Sequence, residues 1–169
     1  MLDKPPVSIC VLPEYNLKIE YPINWIKLDR KNLPDPINIA FMSPPPKGTA
    51  FSITESEGLF LSIMHPQSGR TTLENWVNGD IESMKLQFPD FTIHDSFPRT
   101  ISSTDGQTTP AYQLVYSQCD LKTLLVMAIK DEKAYQFNYS STFEKYEIFF
   151  PVIEQMICSI EFLSNYYPT

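Results

Sequence analysis

Ala111-Tyr-Gln-Leu-Val-Tyr116, Leu121-Lys-Thr-Leu-Leu-Val-Met-Ala-Ile-Lys130, Ala134-Tyr-Gln-Phe-Asn-Tyr-Ser140 and then Phe143 to Ile160 are the segments whose reading decides the fold of this chain. In the second segment both alternating sets of positions are apolar: Leu121, Leu125, Met127 and Ile129 on one, Leu124, Val126 and Ala128 on the other. Successive strand side chains point to opposite faces, so the segment reads as a central strand covered on both sides. Asp131-Glu-Lys133 is a tight polar connection, which makes Ala134 to Ser140 its hairpin partner. Tyr135, Phe137 and Tyr139 line one face of that partner and Gln136 and Asn138 the other, so it should be less covered than its neighbour. Ser141-Thr-Phe-Glu144 then has a capping-box pattern, followed by a helical stripe of Phe143, Tyr146, Phe150, Ile153 and Ile157. Pro151 falls inside this helix, removing one backbone bond at a cost of ~3 kcal/mol or more, and predicts a bend or break near Glu147 to Phe150. Ser159 to Leu163 is a last short strand or extended tail.

Outward from this stretch, Gly106 sits in a turn, Thr104-Asp-Gly-Gln107, that favours positive φ. Phe91 to Phe97 alternates as a strand. Thr71-Thr-Leu-Glu74 is a second capping-box pattern, and Leu73, Val77, Ile81, Met84 and Phe88 recur at helical spacing after it, with Trp76 beside them and Pro89 closing the helix. A loop covers 65–70. Gly58 to Met64 is apolar at nearly every position, as expected of a doubly covered strand. Ile37 to Met42 is a short strand, Ser43 to Phe51 a proline-rich loop, and Tyr15 to Tyr21 a half-buried strand that turns at Pro22-Ile-Asn24. The chain holds 15 prolines, concentrated before residue 47, which fix extended or turn backbone there. Residues 1–14 read as an N-terminal arm and 15–169 as a single domain.

With 169 residues, 43 % of them hydrophobic, the chain can bury one core. Its net charge is −7, and residues 1–47 carry six Lys/Arg against five Asp/Glu while the rest carry seven against fifteen. No basic run exists, so nucleic acid and anionic membrane surfaces are poor partners. A solvated acidic face is the plain reading of the imbalance, and a docking face for a basic partner the sharper one. No apolar run approaches the ~20 residues that span a bilayer. Cys10, Cys119 and Cys158 match neither a zinc ribbon nor a redox pair, allow at most one disulfide within the chain, and leave the compartment undecided.

Chemistry has little to work with. The five glycines are scattered, and no phosphate loop, nucleophile elbow or metalloprotease motif occurs, so no cofactor is expected. His65, at a strand end, and His94, on a strand, are the two candidate metal ligands. Tyr112, Tyr116, Tyr135 and Tyr139 lie at alternate positions of two strands and could line a common face, either as core with hydroxyls at its edge or as a shallow ligand groove.

The chain also resembles a known family. Tyr21-Pro-Ile-Asn-Trp25 is similar to the corner near the start of PsbP-like domains, the family of the extrinsic oxygen-evolving-complex protein. Thr72-Leu-Glu74, Gly106, Pro110-Ala-Tyr112, Lys133-Ala-Tyr135, Tyr146 with Pro151, and Met156-Ile-Cys-Ser-Ile-Glu-Phe162 resemble its further landmarks in order, over residues 15 to 163. Ile160 stands where the family usually has Phe. The resemblance implies an α+β fold: an α/β/α sandwich in which a central antiparallel sheet of about six strands is flanked by helices. It implies a non-enzymatic accessory domain that binds another protein, exported in many members, and it carries over no binding residue. A small-molecule or metal-binding module using the tyrosine-bearing face is the alternative.

Overall fold

The computed structural model describes residues 6–66 and 71–164. Part of the expected arm, part of the 65–70 loop and the last five residues of the expected domain lie outside them. Ten strands and two α-helices follow in chain order: β1 (Val7–Leu12), β2 (Leu17–Pro22), β3 (Ile26–Asp29), β4 (Ile37–Met42), β5 (Gly58–Met64), α1 (Leu73–Gln87), β6 (Thr92–Ser103), β7 (Thr108–Gln118), β8 (Leu121–Lys130), β9 (Lys133–Thr142), α2 (Phe143–Cys158) and β10 (Glu161–Phe162). The strands join in one sheet, ordered β1-β2-β10-β6-β7-β8-β9-β5-β4-β3.

β8 is the spine. It pairs antiparallel with β9 along its whole length and with β7 from Leu121 to Ala128, and Thr123 to Ala128 are buried. Its two apolar sets feed two cores. Leu124, Val126 and Ala128 join Tyr135, Phe137, Tyr139 and the α2 residues Tyr146, Ile153, Met156 and Ile157. Leu125 and Met127 join Leu114, Tyr116 and the α1 residues Trp76 and Val77. One helix therefore covers each face. Asp131 and Glu132, with φ of 49° and 60°, make the two-residue turn between β8 and β9, which matches the right-handed twist of the strands. Gly106 has φ +83° in the β6–β7 turn, as its sequence context predicts.

The sheet departs from the expected sandwich in two ways. It has ten strands rather than about six, and it is mixed, because β10 runs parallel to β6 at Ser102 and Ser103 while pairing antiparallel with β2. It also curls. β2 and β3 stand near opposite ends of the strand order, yet only Ile23, Asn24 and Trp25 join them. The two ends meet over the α2-side core, where Tyr21 and Phe41 rings lie 4.7 Å apart and Trp25 packs 6.5 Å from Phe149.

Local readings are corrected too. Val7–Leu12, expected as part of an arm, pairs residue for residue with β2, because Cys10 and Leu12 alternate inward. The α1 cap is Thr72, whose hydroxyl accepts from the Asn75 N–H at 3.2 Å, one residue later than the Thr71-x-x-Glu74 pattern suggests. At α2 no side-chain cap forms: Thr142 still belongs to β9, which runs directly into the helix, and Phe143 is left exposed. α2 continues through Pro151 without a break, since Tyr146, Ile153 and Ile157 on either side of it are held in one core.

Candidate functional site

β6 is exposed from Thr92 to Pro98 on both faces, and its outer side meets another strand only at Ser102 and Ser103. It hangs at the edge of the sheet as a ribbon with β7. Alternation sends Asp95, Phe97 and Arg99 toward the α2 side and Ser96, Pro98 and Thr100 toward the α1 side. A groove of about 510 Å³ lies on the first side and one of about 500 Å³ on the second.

The α2-side groove has an aromatic wall. Tyr146 stacks between Tyr139 and Phe150, with centroids 5.3 and 5.5 Å apart, and the Lys122 ammonium sits 4.6 Å over the Tyr146 ring while bonding Glu147 Oε1 at 2.6 Å. The cation over the ring face adds to that ion pair. Phe97 and Val115 line the same groove. At the other end the Arg99 guanidinium bonds Gln113, reaches Glu154 Oε1 at 3.5 Å and lies 3.6 Å from Cys158 Sγ. Burial, with Glu154 beside it, pushes the Cys158 thiol up, so it is a weak nucleophile at neutral pH. Burial also raises the Tyr146 phenol, and its oxygen has no hydrogen-bond partner among the described residues. Both cations of the groove are held by α2 carboxylates, which leaves Asp95 to set the net sign of the rim as negative.

The α1-side groove is lined by Leu73, Val77, Pro98, Pro110, Ala111 and Tyr112, with the Tyr112 hydroxyl 2.7 Å from Ser96 Oγ. Its lining is mainly apolar, with Glu74 and Asn78 at the helix rim.

The four tyrosines singled out in the sequence do not share a face. Tyr112 opposes Met127 across β7 and β8, while Tyr135 opposes Ala128 across β8 and β9, so Tyr112 and Tyr116 belong to the α1 side and Tyr135 and Tyr139 to the α2 side. On the α2 side both hydroxyls serve the scaffold. Tyr135 donates to the Tyr15 carbonyl at 3.1 Å, and burial pushes its phenol up to about 12. Tyr139 donates to Glu57 Oε2 at 3.1 Å, and Lys145 Nζ lies 3.4 Å from Glu57 Oε1. Glu57 is itself buried, so this trio ties the loop before β5 to the start of α2. Of the four, only Tyr112 lines a groove named above.

The two histidines lie apart. His65 follows β5 and His94 is in β6, four strand spacings away, on the order of 15–20 Å. His94 occupies the bulge between Ile93 and Asp95, with Nε2 2.8 Å from Ser117 Oγ and its ring edge-on to Phe143. Among the described residues no group of three or more His, Cys, Asp or Glu is arranged to hold a metal ion. Lys122, Glu147, Arg99 and Glu154 escape sequence reading because each pair is separated by 25 or 55 residues and converges only through the sheet. The one signal available was Lys122 itself, a charge on the otherwise apolar Leu124–Val126–Ala128 face.

No protein-family model matches the sequence, and no curated protein matches it. Solved structures do. Cyanobacterial PsbP (CyanoP) from Synechocystis sp. PCC 6803 superposes with a TM-score of 0.61 at 16 % identity, covering 94 % of each chain. The chain has a PsbP-like fold. The same fold embraces the Saccharomyces cerevisiae Ran-binding protein Mog1p, with a TM-score of 0.59 at 7 % identity over 94 % of this chain and 96 % of that one. A Pseudomonas aeruginosa protein of unknown function, PA94, a putative regulator by its description, has a TM-score of 0.57 at 17 % identity over 90 % and 94 %. Within this PsbP-like fold the landmark residues are architectural: Trp25 closes the corner, Gly106 the turn, and Phe162 packs edge-on to Tyr135 at 4.9 Å. Ile160 is buried as well. No described helix is long and apolar enough to cross a membrane.

Proposed function

We propose that this chain is a non-enzymatic accessory domain that binds another protein through the β6 ribbon and the α2-side groove. The observation that carries the reading is the exposure of β6 from Thr92 to Pro98 on both faces, with Phe97 38 % exposed in a groove walled by Phe150 and Tyr146 and Ile93 equally exposed on the same strand. Apolar side chains presented on an open strand edge, next to a groove with an aromatic wall, are what a protein partner buries. Asp95, which sets the sign of the rim, favours a partner segment bearing Lys or Arg among its apolar residues. The sharing of the fold with a Ran-binding protein supports protein binding as its use.

Affinity capture from the source organism tests this when the wild-type bait is compared with Phe97→Glu and with Leu86→Glu, the latter at an exposed α1 position remote from the groove. The expected result is a stoichiometric partner retained by wild type and Leu86→Glu and lost with Phe97→Glu. Equal recovery with all three baits, or none with any, would sink the reading.

A further inference from the structure

The sheet has three open edges, and they are treated differently. β3 is four residues long and bears Lys27 and Asp29. The open part of β6 contains a bulge, Pro98, Asp95 and Arg99. Short length, charge, proline and bulges are how edges are kept from pairing. β1 has none of these: Val7-Ser-Ile-Cys-Val-Leu12 is uncharged and pairs with β2 in unbroken register. Its outward side chains are β-branched and apolar, with Val7 36 %, Ile9 61 % and Val11 52 % exposed, while Cys10 and Leu12 point into the core.

The direction of its backbone groups follows from one bond. The Ile23 N–H donates to the Pro6 carbonyl at 3.1 Å, so Pro6 faces β2. By alternation Ser8, Cys10 and Leu12 bond toward β2, and the N–H and C=O groups of Val7, Ile9 and Val11 point away from the sheet. We propose that this edge is a homodimer interface, on which β1 of a second copy pairs antiparallel about a twofold axis through Ile9. In that register Ile9 meets Ile9, and Val7 and Val11 meet each other twice. Each of the three opposed pairs exchanges two backbone bonds, so every outward group of the edge is satisfied. The exposed face gains an unbroken apolar row of Val–Val, Ile–Ile and Val–Val contacts.

Charge does not oppose the pairing, since β1 itself carries none. On the β2 row beneath, Glu20 opposes its own copy only across three strand spacings, about 14 Å, beyond the ~8 Å screening length of physiological salt. Lys18 there is already paired with Glu161 at 2.7 Å. Isologous, self-complementary pairing of this kind closes as a dimer. The surface is separate from the ribbon proposed to hold a different protein, and neither proposal rests on the other.

Sedimentation equilibrium over a range of concentrations, together with position-specific cysteine trapping in a Cys119→Ser/Cys158→Ser background, tests it. The expected result is a monomer–dimer equilibrium that Ile9→Lys weakens at least about tenfold, since it sets like charges opposite one another. Under mild oxidation Ile9→Cys self-links, Ile23→Cys at an equally exposed site does not, and Val7→Cys links to Val11→Cys only when the two are mixed. A wild type that stays monomeric, a dimer insensitive to Ile9→Lys, or linkage of Ile9→Cys no faster than of Ile23→Cys would overturn the proposal. Circular dichroism confirms that the surface variants remain folded.

Discussion

The Tyr139 hydroxyl illustrates how residues that look like ligand contacts in a sequence are spent on the scaffold. It donates to Glu57, and Glu57 takes its second contact from Lys145, so a buried carboxylate is satisfied from β9 and α2 at once. Tyr139→Phe removes one partner of a buried anion and should destabilise the fold by about 1.5–3 kcal/mol, read from the midpoint of urea unfolding. An effect below about 0.5 kcal/mol would mean that the bond contributes nothing. The phenols also give stability a pH dependence of fixed sign. Burial raises Tyr135, Tyr139 and Tyr146, so the folded chain holds their protons more tightly than the unfolded one. Their contribution is complete below the ordinary phenol value of ~10 and is lost as pH rises through the folded values, the first near 12. The unfolding midpoint should therefore be set by other groups up to about pH 9.5 and fall above it, less steeply in Tyr139→Phe.

Among the elements, the β8–β9 hairpin and both helices were legible, and each for a local reason. β8 is apolar on both faces, the turn is two polar residues, and the α1 stripe repeats at helical spacing. The α2 start was not, because a Ser-x-x-Glu pattern is a local preference, and continuation of the β9 ladder to Thr142 overrode it. Nor was the intact helix at Pro151, since tertiary packing on both sides of the proline outweighs the lost bond. The hairpin offers a direct check on its turn. Glu132 holds φ of 60° with a side chain, a conformation glycine adopts without steric cost. Glu132→Gly should stabilise by about 0.5–1 kcal/mol in thermal unfolding, and a loss of stability would show that the side chain makes a compensating contact.

At the scale of the molecule, the part that sequence reasoning could not reach is the closure of the sheet. The count of about six strands is what the resemblance implies; reading the segments themselves misses β1, which hides behind prolines, and the length of β6, which extends past Pro98, where an edge position tolerates the missing N–H. The curl that brings β2 and β3 together is a long-range property with no local signature. The same curl opens the β6 ribbon, since α2 follows the cores of β8, β9 and β2 and leaves β6 uncovered. The candidate site is thus a consequence of topology: Lys122, Glu147, Arg99 and Glu154 are brought beside Phe97 only once the strands are in order. The most direct test of protein binding at this ribbon is photo-crosslinking in the source organism, with a photoreactive side chain placed at residue 97 and, separately, at residue 86 on α1. A discrete protein adduct is expected from residue 97 and none from residue 86. Adducts of equal yield at both positions, or none at residue 97, would contradict binding there.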